Sequence, residues 1–304
     1  MRIFKNRGDI YIPATKMKSD LENKILLVLL AFAVAFTIVF LVLTGIKYDF
    51  SIKNFFAPAG LVEQEKNEEI IMPDISGKVN FLFIMNNSNT DEMYYCSLIQ
   101  IDKDDISYKA CTLDKDTNAK GKKLSDIYKL SGAGSVVSAV EDLLGVEIDY
   151  YIDESVNEYK RMYEAFGAID YLILEDISYK DSSTYGFNIK LKAGNQMISG
   201  DTASKIIRYY LSVKDYETVN DILLASLSQQ HNPVNYDKKE RLFSSLISLS
   251  KTNITINDYN LSDDTLKVFC SETTGAKVYS VAAVYENGSL TEESIDNIKG
   301  YFKK

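Results

Sequence analysis

The sequence predicts an α/β fold, with a central mixed sheet flanked by helices, behind one N-terminal transmembrane helix. Strand-like and helix-like segments alternate over about 225 residues, with no internal repeat. A hairpin pattern near the start of that region adds antiparallel strands. One uncharged apolar run precedes it. The apolar content of 46% and the aromatic content of 12% allow a sizeable core and exclude a disordered chain.

The transmembrane helix is predicted from residues 25–46, which read ILLVLLAFAVAFTIVFLVLTGI without a charge. A helix needs about 20 residues to cross the hydrocarbon core of a bilayer. A cleaved signal peptide is the alternative. However, the run is longer than the usual apolar segment of about 7–15 residues, and no Ala-x-Ala-like site closes it. A buried helix of a soluble protein would carry a polar stripe, which is missing here.

The charges on either side of this run predict its orientation. Residues 1–24 carry a net charge of +3 and residues 47–304 carry −12. The positive-inside rule therefore places the N-terminus in the cytoplasm. The predicted organisation is a basic cytoplasmic tail at 1–24, the anchor at 25–46, a stalk or linker at 47–77 and an extracytoplasmic α/β domain at 78–304. The overall charge of −9 argues against general nucleic-acid binding.

The first predicted elements of the domain are three strands. Residues 79–85 (VNFLFIM) form an apolar run bounded by Asn-rich turn residues, which favours a buried strand. Residues 93–101 and 106–113 flank the turn residues DKDD, which predicts a hairpin.

Helices and strands then alternate to the end of the sequence. Apolar residues recur every 3.6 positions in GSVVSAVEDLLG, with Ser135 as the predicted N-cap and Gly145 as the C-terminal glycine. The remaining predicted elements are a strand at 148–152, a helix ending at Phe166 before Gly167, a strand at 168–174, helices at about 200–210, 216–229 and 237–250, strands near 265–270 and 276–284, and a helix from about Thr291 with a capping box over Ser289 to Glu292.

Short motifs of common catalytic and nucleotide sites are missing. The sequence has no P-loop, no G-x-G-x-x-G, no H-E-x-x-H, no G-x-S-x-G and no C-x-x-C. The single histidine, His231, follows a predicted helix end, so we favour a cap or surface role over catalysis. Three cysteines leave at least one free thiol. If the hairpin closes on residues 103–104, Cys96 faces Cys111, either as a disulfide or, as we favour, as two buried thiols.

Six segments carry a resemblance through their order and spacing. They are VNFLFIMNNSNTDEM, CTLDKDT, KLSDIY, VVSAVEDLLGVEIDYYI, YEAFGAIDYLI and LKAGNQMISGDTASKIIRYY. In this order the chain resembles the LytR-CpsA-Psr family of Gram-positive envelope proteins, in which CTLDKDT stands where the family has Pro-Arg-Asp-Thr. The last segment is similar to the family's Leu-x-x-Gly-x-Gln-x-Leu-x-Gly stretch leading to Arg-x-Arg. The segments cover about half of the chain.

The resemblance implies transfer of a glycopolymer phosphate from a polyprenyl-pyrophosphate carrier to peptidoglycan. Such a site needs guanidinium donors for the pyrophosphate, carboxylates for a divalent cation, here Mg²⁺, and an apolar pocket for the lipid. The implied partners are the cell membrane, a polyprenyl-phosphate lipid or wall glycopolymer, and envelope-assembly proteins. The implied location is the cell membrane, with a single pass and the C-terminal domain outside.

Position by position, the resemblance assigns the site residues. Asp91 and Asn87 fall at the metal, Lys115, Lys123 and Arg208 at the phosphate, and Arg208 and Asp215 at the catalytic positions. Several family charges are replaced: Asn87 stands for an Asp, Lys115 for an Arg, and Tyr210 for the second Arg of Arg-x-Arg. Two further family arginines are Thr218 and Asp221 here.

The loss of a hydrogen bond to a charged group costs roughly 1.5–3 kcal/mol, so the replaced arginines should weaken pyrophosphate binding. Three hypotheses follow. We favour a family member that handles lipid-linked or wall glycopolymers with weakened catalysis, in the manner of a pseudoenzyme. The alternative is a non-catalytic scaffold or regulatory subunit of envelope assembly. The third hypothesis is an active glycopolymer phosphotransferase or ligase that uses Lys115, Lys123 and Arg208.

Overall fold

The computed structural model describes residues 72–90, 92–183 and 186–304, and Met72–Lys304 form a compact unit. The strands are β1 (Lys78–Asn87), β2 (Glu92–Asp102), β3 (Ser107–Asp114), β4 (Asn118–Ala119), β5 (Lys122–Lys123), β6 (Tyr150–Ser155), β7 (Ile169–Ile173), β8 (Ile177–Lys180), β9 (Asn188–Leu191), β10 (Gly194–Ile198), β11 (Lys251–Thr252), β12 (Lys277–Ser280), β13 (Tyr285–Glu286) and β14 (Ser289–Leu290). The helices are α1 (Leu124–Ser131), α2 (Ala133–Leu144), α3 (Val156–Phe166), α4 (Gly200–Ser212), α5 (Tyr216–Gln230), α6 (Pro233–Tyr236), α7 (Lys239–Leu249), α8 (Ile256–Leu261), α9 (Asp263–Phe269) and α10 (Glu292–Phe302).

A six-stranded mixed sheet forms the centre, in the order β11–β6–β1–β2–β3–β12. The β1–β2 and β2–β3 pairs are antiparallel, whereas β6 runs parallel to β1 and β12 runs parallel to β3. Strand β1 alternates its side chains between the two faces, so Leu82 and Ile84 enter one core and Phe83 and Met85 enter the other. The predicted mixed α/β fold with a central sheet is therefore confirmed.

Helices cover both faces of this sheet. Helices α1, α2 and α10 pack on the face of Leu82 and Ile84, with Phe302 of α10 fully buried. Helices α3, α4 and α5 pack on the opposite face. The result is a three-layer arrangement, which explains why β1 carries apolar residues on both of its faces.

Most predicted elements are found within a few residues of their expected bounds. Three local predictions are wrong. Gly132, rather than Ser135, is the N-cap of α2. Thr291 alone caps α10, since Ser289 belongs to β14. The stretch predicted as a strand near 265–270 is helix α9.

The hairpin register differs from the expected one. Its loop is longer by two residues, so Asp102 pairs with Ser107 and Cys96 faces Leu113 instead of Cys111. Cys96, Cys111 and Cys270 are all buried free thiols, which confirms core thiols and rules out the Cys96–Cys111 disulfide in this structure.

His231 lies at the C-cap of α5, as expected from its place after a helix. It is half-buried: its ring stacks on Tyr108, and a 2.6 Å hydrogen bond joins His231 Nδ1 to the Tyr108 hydroxyl. Burial lowers the pKa of His231 to about 4.

The predicted tail, anchor and most of the stalk lie outside the described residues. Within the part of the chain that the structure describes, we find no helix long and apolar enough to span a bilayer.

Candidate functional site

A polar cleft of about 570 Å³ opens where β1 ends and β2 begins. Three cationic side chains from different elements line it: Lys115 from the turn after β3, Arg208 from α4 and Lys214 from the connection between α4 and α5. Asn87, the last residue of β1, also lines the cleft. The fold thus brings together three predicted site residues, Asn87, Lys115 and Arg208.

Arg208 is positioned by the burial of its own helix. Its neighbours Ile206 and Ile207 are fully buried in the core beneath α4. The guanidinium carbon lies 4.2 Å from the ring centroid of Phe187 and 5.1 Å from that of Tyr94. These rings hold the guanidinium by cation–π contact at the edge of the cleft, where its N–H groups suit an anionic oxygen.

The side chains of Lys115 and Lys214 are exposed, and the local backbone structure fixes where each of them enters the cleft. The carbonyl of Lys115 accepts a 2.8 Å hydrogen bond from the Ser125 N–H, which fixes the turn after β3. Lys214 has a φ of 61°, a left-handed conformation that is uncommon for a residue with a side chain. This conformation lets the chain turn between α4 and α5. It also brings the Lys214 side chain, which was not among the predicted site residues, into the cleft.

Four carboxylates line the same cleft: Glu92, Asp114, Asp116 and Asp181. Asp114 accepts hydrogen bonds from the Asp116 N–H at 2.7 Å and from the Tyr216 hydroxyl. Burial, followed by this contact with Asp114, raises the pKa of Tyr216. The described lining therefore carries four acids against three cations, an unusual balance for a phosphate site.

Asp181 lies close enough to Arg208 for the two charges to interact. The Ser183 N–H donates to Asp181 at 2.9 Å and lowers the pKa of that carboxyl, and the positive charge of Arg208 contributes to the same shift. Part of the cationic field of Arg208 is therefore balanced by a carboxylate on its own side of the cleft.

Lys123 and Asp215 serve other contacts. Lys123 is exposed, and its Nζ lies 3.3 Å from Asp116, so it reaches the cleft through that carboxylate. Asp215 is the N-cap of α5, where its carboxylate accepts hydrogen bonds from Thr218 N–H at 3.0 Å and Thr218 Oγ1–H at 2.7 Å. Neither residue is part of the cleft lining, and their phosphate and catalytic roles stay predictions.

Of the two residues assigned to Mg²⁺, the structure describes only Asn87. Asn87 Oδ1 accepts a 3.0 Å hydrogen bond from the Asn89 N–H. No group of three or more His, Cys, Asp or Glu side chains suited to a metal is present in the ranges 72–90, 92–183 and 186–304. Asp91 lies outside those ranges, so the Mg²⁺ assignment stays a prediction.

An apolar cavity of about 520 Å³ lies on the face of the central sheet that carries Phe83. Its floor is made by alternate residues of three strands, and helices α3 and α5 to α9 form its other walls. The floor residues are Val79, Phe81 and Phe83 of β1, Ile99 and Ile101 of β2, and Tyr150, Ile152 and Glu154 of β6. The cavity and the polar cleft thus follow one another along β1.

The polar cleft could be anticipated from sequence only in part. Phe187 lies at the edge of the β8–β9 hairpin, which the alternation of elements did not predict. Glu92, Asp181 and Lys214 were not assigned to the site by any segment. Asp114 and Asp116 do lie in a recognised segment, CTLDKDT, where they flank Lys115.

Comparison with known proteins agrees with this architecture. The model of the LytR_cpsA_psr family matches residues 87–300. The polyisoprenyl-teichoic acid–peptidoglycan teichoic acid transferase TagU of Bacillus cereus is 26% identical over 117 residues, a match that spans 36% of this chain and only 36% of that protein.

Two solved structures show the same fold. One is a protein from Eubacterium siraeum, with a TM-score of 0.64 and 14% identity over 81% of this chain and 98% of that chain. The other is described as TagT bound to LI-WTA, with a TM-score of 0.52 and 14% identity over 74% of this chain and 89% of that chain.

Proposed function

Because this chain belongs to the LytR-CpsA-Psr family, we propose that it is a cell-envelope protein that binds polyprenyl-pyrophosphate-linked wall glycopolymers. One observation carries this proposal: a cleft with three cationic side chains and an apolar cavity follow one another along the same strand. A lipid-linked glycopolymer has the matching division into an anionic head and an apolar tail. The relative TagU is a teichoic acid transferase, and the fold neighbour TagT was solved bound to LI-WTA.

In this proposal the polar cleft binds the pyrophosphate. Arg208, held between Tyr94 and Phe187, donates paired N–H groups to phosphate oxygens, and Lys115 and Lys214 add positive charge. Lys123 is a further phosphate ligand if it exchanges Asp116 for the substrate. The tail lies in the apolar cavity, where burial of its hydrocarbon surface favours binding.

The same cleft supports weakened catalysis. The four carboxylates raise the free energy of a bound pyrophosphate and of the charge that develops on it during transfer. Asp215 is proposed as a catalytic residue only if it leaves its capping contact with Thr218. Mg²⁺ would neutralise part of the phosphate charge, with Asp91 and Asn87 as its proposed ligands.

The proposed setting is the outer side of the cell membrane. The uncharged residues 25–46 form the anchor, with residues 1–24 in the cytoplasm and the α/β domain outside. This places the cleft and the cavity on the side of the membrane where wall polymers are attached.

The test uses the full chain in nanodiscs, with a polyprenyl-pyrophosphate-linked saccharide and peptidoglycan as acceptor. We expect Arg208→Ala to weaken binding about 10- to 100-fold, because it removes a hydrogen-bonded charged contact. Arg208→Lys should recover part of that loss. Arg161→Ala is the matched control, since Arg161 is an exposed arginine on α3 outside the cleft. Equal affinity of the wild type and Arg208→Ala would contradict the proposal.

A second candidate function, a non-catalytic scaffold or regulatory subunit of envelope assembly, is favoured by the excess of carboxylates in the cleft. The same experiment separates the candidates. Glycopolymer transfer that is lost in Arg208→Ala supports an active phosphotransferase, and binding without transfer supports the weakened family member. Absence of binding supports the scaffold.

A further inference from the structure

Asp114 is held in one place in the polar cleft by hydrogen bonds to both of its carboxylate oxygens. One oxygen accepts the Asp116 N–H at 2.7 Å, and the other accepts the Tyr216 hydroxyl. The backbone of Asp114 is fixed as well. Its N–H donates to the Tyr285 hydroxyl at 2.9 Å, and its carbonyl oxygen accepts the Thr117 hydroxyl at 2.6 Å. The carboxylate therefore has a defined position at the end of β3, in the lining of the cleft.

The other carboxylates of the cleft differ from Asp114 in their partners. Two of them lie near a cation, and these pairs are Asp181 with Arg208 and Asp116 with Lys123. Glu92 is exposed, and its carboxylate accepts a 3.3 Å hydrogen bond from the Thr90 hydroxyl. Asp114 has no ion pair with a lysine, arginine or histidine in the part of the chain that the structure describes. It is thus the cleft carboxylate that is both fixed in position and not neutralised by a paired cation.

Tyr216 is suited to remain a hydrogen-bond donor to this carboxylate. Its ring packs against that of Tyr285, with the centroids 5.7 Å apart, and the residue is buried. Burial and then the contact with Asp114 raise the pKa of the Tyr216 hydroxyl, so it stays protonated. A donor that bonds a carboxylate favours the ionised form of that carboxylate. Tyr216 therefore holds Asp114 in the form that can take up a proton.

We propose that Asp114 is the general base that accepts the proton of the wall hydroxyl during glycopolymer transfer, and that Tyr216 is its positioning residue. This inference rests on the proposed function, which supplies the pyrophosphate-linked donor and the peptidoglycan acceptor. It gives Asp114 a step that Asp215 is not free to perform, because the carboxylate of Asp215 caps α5.

The step is a displacement at phosphorus. The oxygen of the acceptor hydroxyl forms a bond to the phosphorus that carries the glycopolymer, and the bond from this phosphorus to the bridging oxygen breaks. Polyprenyl phosphate leaves with the bridging oxygen and its electron pair, while the hydroxyl proton passes to Asp114 and then to solvent. Lys115 adjoins Asp114 in sequence and Arg208 lines the same cleft, so the base and the proposed phosphate ligands share one site.

The test uses the full chain in nanodiscs with the pyrophosphate-linked saccharide and peptidoglycan, and it measures affinity and transfer rate separately. Asp114→Asn should lower the transfer rate about 100-fold or more, within the usual range for the loss of a general base. Its affinity for the lipid-linked saccharide should equal or exceed that of the wild type, because a negative charge leaves the cleft. Asp126→Asn is the matched control, since Asp126 is exposed on α1 outside the cleft, and it should change neither quantity.

The pH profile of transfer distinguishes a base from a residue that only shapes the cleft. The rate should fall at low pH as the base becomes protonated. Tyr216→Phe should lower the rate about tenfold, the usual effect of one hydrogen bond to a charged group. It should also move the fall to higher pH, because the carboxylate loses a contact that favours its ionised form. Tyr301→Phe, at an exposed tyrosine of α10, should leave the profile unchanged.

The groups around Asp114 determine how that profile is assigned. They are Lys115 and Asp116 in its own turn, Tyr216 of α5, Tyr285 of β13, Cys96 of β2 and, in the same cleft, Arg208 and Lys214. Asp116 and the other cleft carboxylates share the acid range of titration, but the Tyr216 hydroxyl donates to Asp114. A shift of the profile in Tyr216→Phe therefore reports on Asp114.

Three results would overturn this inference. They are a transfer rate of Asp114→Asn within about threefold of the wild type, a profile that Tyr216→Phe does not move, and absence of transfer by the wild type between about pH 5 and 9. If Asp114→Asn does not fold, the profile of Tyr216→Phe decides. None of these results concerns the proposed binding function, which fails separately if Arg208→Ala binds the pyrophosphate-lipid as tightly as the wild type.

Discussion

A single methyl group added at Gly200 should push helices α3 and α4 apart. Gly200 is the first residue of α4, which carries Arg208, and it lies against α3. A Cβ at this position would lie 2.6 Å from the Lys160 carbonyl oxygen and 2.8 Å from Tyr163 Cβ. Since one of the contacted atoms belongs to the backbone, a rotamer change cannot relieve the clash.

Gly200→Ala should therefore destabilise the protein by about 1–3 kcal/mol, the usual range for overpacking a close contact. For a domain of this size, that corresponds to a fall in the melting temperature of about 2–12 °C. The assay is unfolding of the full chain in nanodiscs followed by circular dichroism, because the sequence has no tryptophan. Binding of the pyrophosphate-lipid should weaken as well, because α4 shifts together with Arg208.

Gly134→Ala is the matched control. Gly134 is the second residue of α2, and a Cβ added there would meet no atom within 4 Å beyond its own stretch of helix. We expect this variant to be as stable as the wild type or more stable by about 0.5–1 kcal/mol, because alanine favours the helix over glycine. If Gly200→Ala and Gly134→Ala had the same stability, the backbone contact between α3 and α4 would not exist as described.

Two other buried groups give predictions for stability. Lys109→Met removes the 2.8 Å partner of the buried Asp102, which keeps Lys78 at 3.7 Å, and should cost about 1.5–3 kcal/mol in urea unfolding; Lys277→Met, which breaks an exposed ion pair, should have little effect. Burial raises the pKa of Glu154 from 4.5 to about 7, so the folded state holds a proton that the unfolded state has lost, and stability falls as the pH rises through this window. Glu154→Gln should remove that fall, on the order of 3 kcal/mol between pH 4.5 and 8; an unchanged slope would assign the titration to another group.

Apolar periodicity predicted the central strands and long helices because they are buried on defined faces. It failed where a short apolar run suits either structure. Leu266, Val268 and Phe269 were interpreted as part of a strand, yet they lie in a seven-residue helix whose buried side chains are Val268 and Phe269. The Cys96 register failed for another reason: hairpin loop length fixes pairing, and composition does not determine loop length to the residue.

The site was predictable only where a residue type had a fixed place in a segment. Arg208 and Lys115 could be placed because each follows a recognisable stretch, and both line the cleft. Lys214 could not, since its entry depends on a left-handed backbone between two helices. The carboxylates of the cleft are ordinary turn and strand-end residues until folding brings them together. Asp215 is a different case. The resemblance assigned it a catalytic position, but in the structure its side chain caps α5.

The end of α10 has a consequence for the order in which the protein is made. The carbonyl of Phe302 accepts hydrogen bonds from Asn80 and Gln100, and the carbonyl of Tyr301 accepts one from Lys109, all from central strands of the sheet. These polar side chains are buried, and their hydrogen bonds stay incomplete until residue 302 arrives. During synthesis these buried hydrogen bonds of the central strands can therefore form only after α10 has been made, more than 200 residues after β1.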